Sequence, residues 1–133
     1  MIKLSQSDIG KDEKKAVNEV LNHSYLGMGQ NVNFFEERLK IFFGRETVCL
    51  ASGTAAIQLA LEACGIGVGD EVLVPSLTYV ATFQAISATG ATPISCDVDE
   101  ESLIIDIKDA FSKVSKLTKA IIPVYYSGGF GDI

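Results

Sequence analysis

The sequence predicts an α/β fold built on a parallel sheet. Three observations carry that expectation. Short apolar runs at Glu71–Val74, Thr92–Val98 and Lys119–Tyr125 alternate with helix-forming stretches, the pattern of βα units joined by right-handed crossovers. Glycine or proline punctuates the junctions, as at Gly44, Gly65, Pro75 and Gly90, where helices end and strands stop. Finally, Thr47–Leu61 passes from an apolar run through Ser52-Gly53-Thr54 directly into a helix-forming run. That succession reads as a strand, a tight turn and a helix N-terminus.

Taken in order, the first element is an amphipathic helix from about Gly10 to Asn22. Ala16, Val17, Val20 and Leu21 make its apolar stripe, and Lys11, Asp12, Lys14, Lys15 and Glu19 its solvated face. His23 falls at its end, where an imidazole interacts with the helix dipole. A loop with two glycines, Ser24–Asn31, presents Tyr25 and Met28. A second helix is expected over Val32–Phe43, capped by Asn31 or Asn33, with Phe35, Leu39 and Phe42 as a core stripe and Gly44 ending it. After the strand ending near Ala51, the helix from Thr54 to about Cys64 is apolar nearly all round, which predicts burial on most sides. Gln58 and Glu62 form its polar strip.

Gly65–Asp70 is a glycine-rich turn without the spacing of a dinucleotide fingerprint. The strand Glu71–Val74 stops at Pro75, and a helix follows from about Tyr79 to Ala88, closed by Gly90. Thr92–Val98 is the next strand, then an acidic turn to Glu101, a short helix over Ile107–Val114 and a last strand, Lys119–Tyr125. Pro123 weakens that strand, since proline cannot donate to a ladder.

Composition excludes several functions. With 133 residues, 47% hydrophobic and 21% charged, the chain can build one real core. A net charge of −6 argues against nucleic-acid and anionic-membrane partners. No stretch approaches the roughly 20 apolar residues of a membrane span, and the N-terminus lacks a secretory signal. Cys49, Cys64 and Cys96, an odd number lying in apolar segments, read as buried free thiols in a reducing compartment, the cytoplasm. One histidine supplies neither a zinc site nor a His-dependent triad.

The first N–H groups of a helix lack intrahelical partners and sit at the positive end of its dipole, so a strand–turn–helix can seat a phosphate. From Ser52-Gly53-Thr54 alone the ordinary alternative is stronger: a capped turn with Thr54 or Ser52 as N-cap. A second strand end, Pro75–Thr82, offers Tyr79 near a helix start. A phosphate cradle beside an aromatic plate suits a flat phosphorylated cofactor; otherwise Tyr79 is a core aromatic.

Ser52-Gly53-Thr54-Ala55-Ala56, Gly69-Asp70-Glu71-Val72, Pro75-Ser76-x-Thr78-Tyr79-Val80-Ala81-Thr82, Thr118–Val124 and Gly128-x-x-x-Asp132 occur in order along the chain. As a set they resemble the DegT/DnrJ/EryC1/StrS sugar aminotransferases over essentially the whole sequence. The resemblance implies part of the large domain of the aspartate-aminotransferase fold type (fold type I), truncated. Residues 1–46 would form an N-terminal helical segment and 47–133 an incomplete α/β cofactor-binding domain. It implies pyridoxal 5'-phosphate (PLP) as cofactor, a nucleotide-linked keto sugar as substrate, glutamate as amino donor and a homodimer when full length, serving lipopolysaccharide or other amino-sugar synthesis.

By matching position, Gly53 and Thr54 would hold the cofactor phosphate and Tyr79 would stack on its ring. Tyr25 and Met28 lie in the segment matching a substrate or dimer-partner loop. Tyr125 and Gly129 depart from the histidine and glutamine frequent at those positions. The family's Schiff-base lysine is expected beyond Ile133, and this stretch of chain alone is expected to be inactive. A PLP-type sugar 3-dehydratase, with histidine at the lysine position, and a non-catalytic α/β interaction fragment are the other readings. Uncovered apolar faces predict that the fragment self-associates.

Overall fold

The computed structural model describes residues 6–131. It comprises two compact units, Met1–Cys49 and Leu50–Ile133.

The first unit holds helices α1 (Lys11–Asn22) and α2 (Gln30–Phe43). Gly10 caps α1, and its N–H donates to Glu13 Oε2 at 2.7 Å. Hydrogen bonding from its own backbone N–H, and then from that of Gly10, holds the Glu13 carboxyl below the usual range. α2 begins two residues earlier than its asparagines suggested. Gly29, not Asn31 or Asn33, is the N-cap, and its carbonyl accepts from Val32 and Asn33 at 3.0 and 3.1 Å. Gly44 (φ +65°) closes α2 in the left-handed region. The stripe expected in a core is open: Phe35 is 54% and Phe42 80% exposed.

The strand predicted to end near Ala51 does not form. A strand exists only where a neighbour takes its backbone groups, and no described strand pairs with this stretch. A side chain competes for it instead, since Glu36 Oε1 accepts from the Cys49 N–H at 2.7 Å.

The second unit contains α3 (Gly53–Ala63), β1 (Glu71–Pro75), α4 (Val80–Ala88), β2 (Thr92–Cys96), α5 (Ile107–Ser112), β3 (Thr118–Ile121) and a 3₁₀ turn at Tyr126–Gly128. The described strands are parallel in the order β2-β1-β3. β1 is therefore central: the crossover through α4 runs outward from β1 to β2, and the one through α5 runs back from β2, past β1, to β3. Right-handed crossovers in opposite directions put their helices on opposite faces, and the cores follow. Val72 and Val74 of β1 pack with Ile57 and Leu61 of α3 and Phe83 and Ile86 of α4. On the other face Leu73 packs with Ile94, Cys96, Ile105, Ile107 and Ala110. The alternation along β1 is the period of two that a strand imposes.

The register of β3 slips between Glu71 and Val72. There Glu71 Oε2 accepts from the Ser115 and Thr118 hydroxyls at 2.5 and 3.3 Å, and the Glu71 N–H donates to Leu117 O at 2.9 Å. β3 stops before Pro123, as a residue without an N–H requires. β2 and α5 are also shorter than their apolar runs. Val98 leaves the sheet to bridge Ile105 antiparallel, and Lys113 is already the cap of α5.

Burial departs from the sequence expectation in two further places. On α3 the buried residue is Leu61, while Leu59 is 46% exposed. Cys96 is buried, Cys49 half-buried and Cys64 exposed; all three thiols are free. Among the described residues, no helix is long and apolar enough to cross a membrane, and no cluster of His, Cys, Asp and Glu could hold a metal ion.

Candidate functional site

α3 is joined to the amino end of β1 by the short link Cys64–Asp70 and packs along α4. Its N-terminus therefore lies toward the carboxyl edge of β1, the edge from which α4 departs. In open α/β sheets this edge is where ligands bind. Gly53, Thr54 and Tyr79 all come from it.

The choice left open between Ser52 and Thr54 is resolved. Ser52 is the N-cap, extended at φ −157°, and its Oγ accepts from the Ala55 N–H at 3.2 Å, while its carbonyl accepts from the Ala56 N–H at 3.1 Å. Among the described residues, the Gly53 and Thr54 N–H groups and the Thr54 hydroxyl have no hydrogen-bond partner. No atom lies within 4 Å of where a Cβ on Gly53 would stand. Two donors at the positive end of a helix dipole and a hydroxyl beside open space form a seat that fits an anion.

Tyr79 is the N-cap of α4 by backbone geometry alone; its side chain caps nothing. It is 80% exposed, so it is not the core aromatic that composition allowed. The segment before it is fastened. The Ser76 N–H donates to Cys96 O at 2.7 Å, and the hydroxyls of Thr78 and Thr82 share a hydrogen bond of 2.8 Å. Among the described residues, Thr82 is the buried polar one. Sequence reading gave Thr78 and Thr82 no role, although their spacing of one helical turn around Tyr79 was visible.

Tyr25 and Met28 belong to the first unit. The Tyr25 hydroxyl donates to Met28 O at 3.3 Å, and its ring lies over Gly27 and Gly29. A Cβ on Gly29 would stand 2.9 Å from Tyr25 Cε1, so the glycines make room for the ring. Met28 is 65% exposed.

The lysines divide by geometry. Lys113 donates from Nζ to Asp109 Oδ2 at 2.7 Å and to Ser95 O at 2.9 Å. The Asp109 bond holds its pKa above the ordinary lysine value. Lys119 sits on β3 near the amino end, away from the edge that carries Gly53 and Tyr79. Asp132, the last residue of the terminal motif, lies outside the described residues.

Comparison with known proteins agrees with the fold and with the motifs. The model of the DegT/DnrJ/EryC1/StrS aminotransferase family matches residues 7–133. The spore coat polysaccharide biosynthesis protein SpsC of Bacillus subtilis is 43% identical over 126 residues, 94% of this chain and 32% of that protein. The dTDP-4-dehydro-2,3,6-trideoxy-D-glucose 4-aminotransferase of Saccharopolyspora spinosa is 35% identical over 136 residues, 100% of this chain and 35% of the enzyme. Among solved structures, Spr1654 of Streptococcus pneumoniae in its PMP form, assigned as a sugar aminotransferase, superposes with a TM-score of 0.90 at 35% identity, covering 98% of this chain and 33% of that one. NtdA of Bacillus subtilis with bound PMP gives a TM-score of 0.85 at 32% identity, covering 93% and 30%. The chain thus spans about a third of the length of these relatives. Its α/β sheet is part of the fold of sugar aminotransferases, and the chain belongs to the DegT/DnrJ/EryC1/StrS aminotransferase family.

Proposed function

We propose that this chain contributes the phosphate seat and ring plate of a PLP-dependent aminotransferase acting on a nucleotide-linked keto sugar, with glutamate as amino donor. The observation that carries the reading is the pairing of two features on one sheet edge. One is the unpartnered Gly53 and Thr54 N–H groups with the free Thr54 hydroxyl; the other is the exposed Tyr79. The phosphate accepts from the first set, and the Tyr79 ring covers one face of the pyridine. When bound, PLP supplies an electron sink for bond breaking at the amino-bearing carbon. The residues of this chain bind and orient it, and we propose none of the described lysines as its nucleophile. Lys113 is engaged by Asp109 and Ser95, and Lys119 lies toward the opposite end of the sheet.

In the same reading residues 47–133 are part of the cofactor domain and residues 1–46 a helical N-terminal segment. The loop carrying Tyr25 and Met28 meets the sugar nucleotide or the second protomer of a homodimer. In this reading the enzyme is cytoplasmic and supplies amino sugars for lipopolysaccharide or another surface polysaccharide; the name of one relative, a spore coat polysaccharide biosynthesis protein, supports the polysaccharide part of it.

The test is titration of the full-length apo-protein with PLP and with pyridoxal, which lacks the phosphate. Thr54→Ala is expected to weaken PLP about 10- to 100-fold, the value of one hydrogen bond to a charged group, and to leave pyridoxal unchanged. No cofactor absorbance change in the native protein, or equal PLP affinity in Thr54→Ala, rejects the seat. Conversion of a nucleotide keto sugar to an amino sugar with formation of 2-oxoglutarate from glutamate tests the substrate class.

A further inference from the structure

Thr78 and Thr82 flank Tyr79 one helical turn apart, and their hydroxyls are hydrogen-bonded at 2.8 Å. Thr82 is only 6% exposed, so water does not readily replace that bond. The Thr82 N–H donates to Tyr79 O at 3.0 Å, the Thr78 N–H to Ser76 O at 3.2 Å and the Ser76 N–H to Cys96 O at 2.7 Å. A connected run of bonds therefore leads from the end of β2, through the segment around Tyr79, into α4. The Tyr79 side chain itself makes no hydrogen bond and is 80% exposed. Its ring has little to hold it except its own backbone, fixed at φ −70° and ψ +140°.

We infer that the Thr78–Thr82 hydroxyl pair is a positioning device for Tyr79, setting the direction in which its ring leaves the backbone toward the cofactor. Neither threonine touches the cofactor; both act through Tyr79. The inference rests on the reading of Tyr79 as the ring plate.

A double-mutant cycle tests it in the full-length protein. PLP dissociation constants and thermal midpoints are measured for Thr82→Val, Thr82→Ser, Thr78→Val, Tyr79→Ala and the Thr82→Val/Tyr79→Ala pair. Valine keeps the shape and removes the hydroxyl; serine keeps the hydroxyl. Each valine variant is expected to weaken PLP by roughly two- to tenfold, the usual value of one hydrogen bond. Serine restores the affinity, and Thr82→Val adds nothing once Tyr79 is alanine. Thr78 is partly exposed, so Thr78→Val carries the test if Thr82→Val does not fold. A loss of the same size with and without Tyr79 overturns the inference. So does a lowered thermal midpoint with unchanged affinity, which marks a bond that serves stability alone. If Tyr79→Ala binds PLP as the native protein does, the reading of Tyr79 fails first.

Discussion

Asp109 on α5 and Lys113 at its C-cap form an ion pair of 2.7 Å that is also the fastening between α5 and β2. Asp109 Oδ2 accepts from the Asp97 N–H at 2.7 Å, and Lys113 Nζ donates to Ser95 O at 2.9 Å, so both charges reach the backbone at the strand's end. The Lys113 bond, followed by the Asp97 N–H, holds the Asp109 carboxyl below the usual aspartate range.

The sign of the resulting pH dependence follows by linkage. The unfolded chain binds the Asp109 proton at a higher pH than the folded one does. The contribution is therefore fully present above the unfolded value of about 3.9 and is lost as pH falls through the lower folded value. Lys113 acts at the other extreme, its contribution being lost as pH rises above about 10.4 and through the raised folded value. Urea midpoints measured from neutral pH downward are expected to show a smaller acid loss in Asp109→Asn than in the native chain. Parallel curves would remove Asp109 from the acid response.

Ser52→Ala removes the side-chain acceptor of the Ala55 N–H and is expected to cost about 1 kcal/mol, whereas Ser52→Asp keeps the cap. Denaturant midpoints compare the three proteins. If alanine and aspartate destabilise equally, capping is not what serine supplies.

Gly90 follows the cap of α4 at φ +86°, and a Cβ there would stand 2.6 Å from Val68 Cγ2. Gly90→Ala combines left-handed strain with displacement of that side chain, so a loss of about 1–3 kcal/mol is expected. A thermal midpoint equal to that of the native protein would mean that the turn relaxes at no cost.

Thiol labelling should separate the cysteines. Cys64 is exposed, whereas Cys96 is buried and burial pushes its thiol pKa up. An aromatic disulfide reagent is expected to modify Cys64 first and Cys96 only as denaturant is added. Prompt reaction at Cys96 would contradict the closed core around Leu73 and Ile105.

The isolated 133-residue polypeptide is expected to self-associate. Phe35, Phe42 and Phe43 of α2 stand 54%, 80% and 61% exposed, and apolar surface on this scale seeks cover. A single monomeric species in sedimentation velocity would count against it.

What the sequence settled is what neighbouring residues settle among themselves. The helices read from their apolar periodicity and the stops at Gly44, Gly90 and Pro75 are present within a few residues of where the chain signalled them. The ordered motifs placed the chain in its family, because each ties a particular turn to a particular strand end. The tertiary structure decided whatever needed a distant partner. Thr47–Ala51 has the composition of a strand, yet no described strand accepts its backbone and Glu36 takes the Cys49 N–H. Phe35 has the spacing of a core residue and Tyr79 is an aromatic at a helix start, yet both are exposed, because burial depends on what packs against them. The free donors of Gly53 and Thr54 emerged only once Ser52 was seen to cap Ala55. A side chain's local preference is written in its own residue, but hydrogen-bond partnership and exposure belong to pairs that only the folded chain brings together.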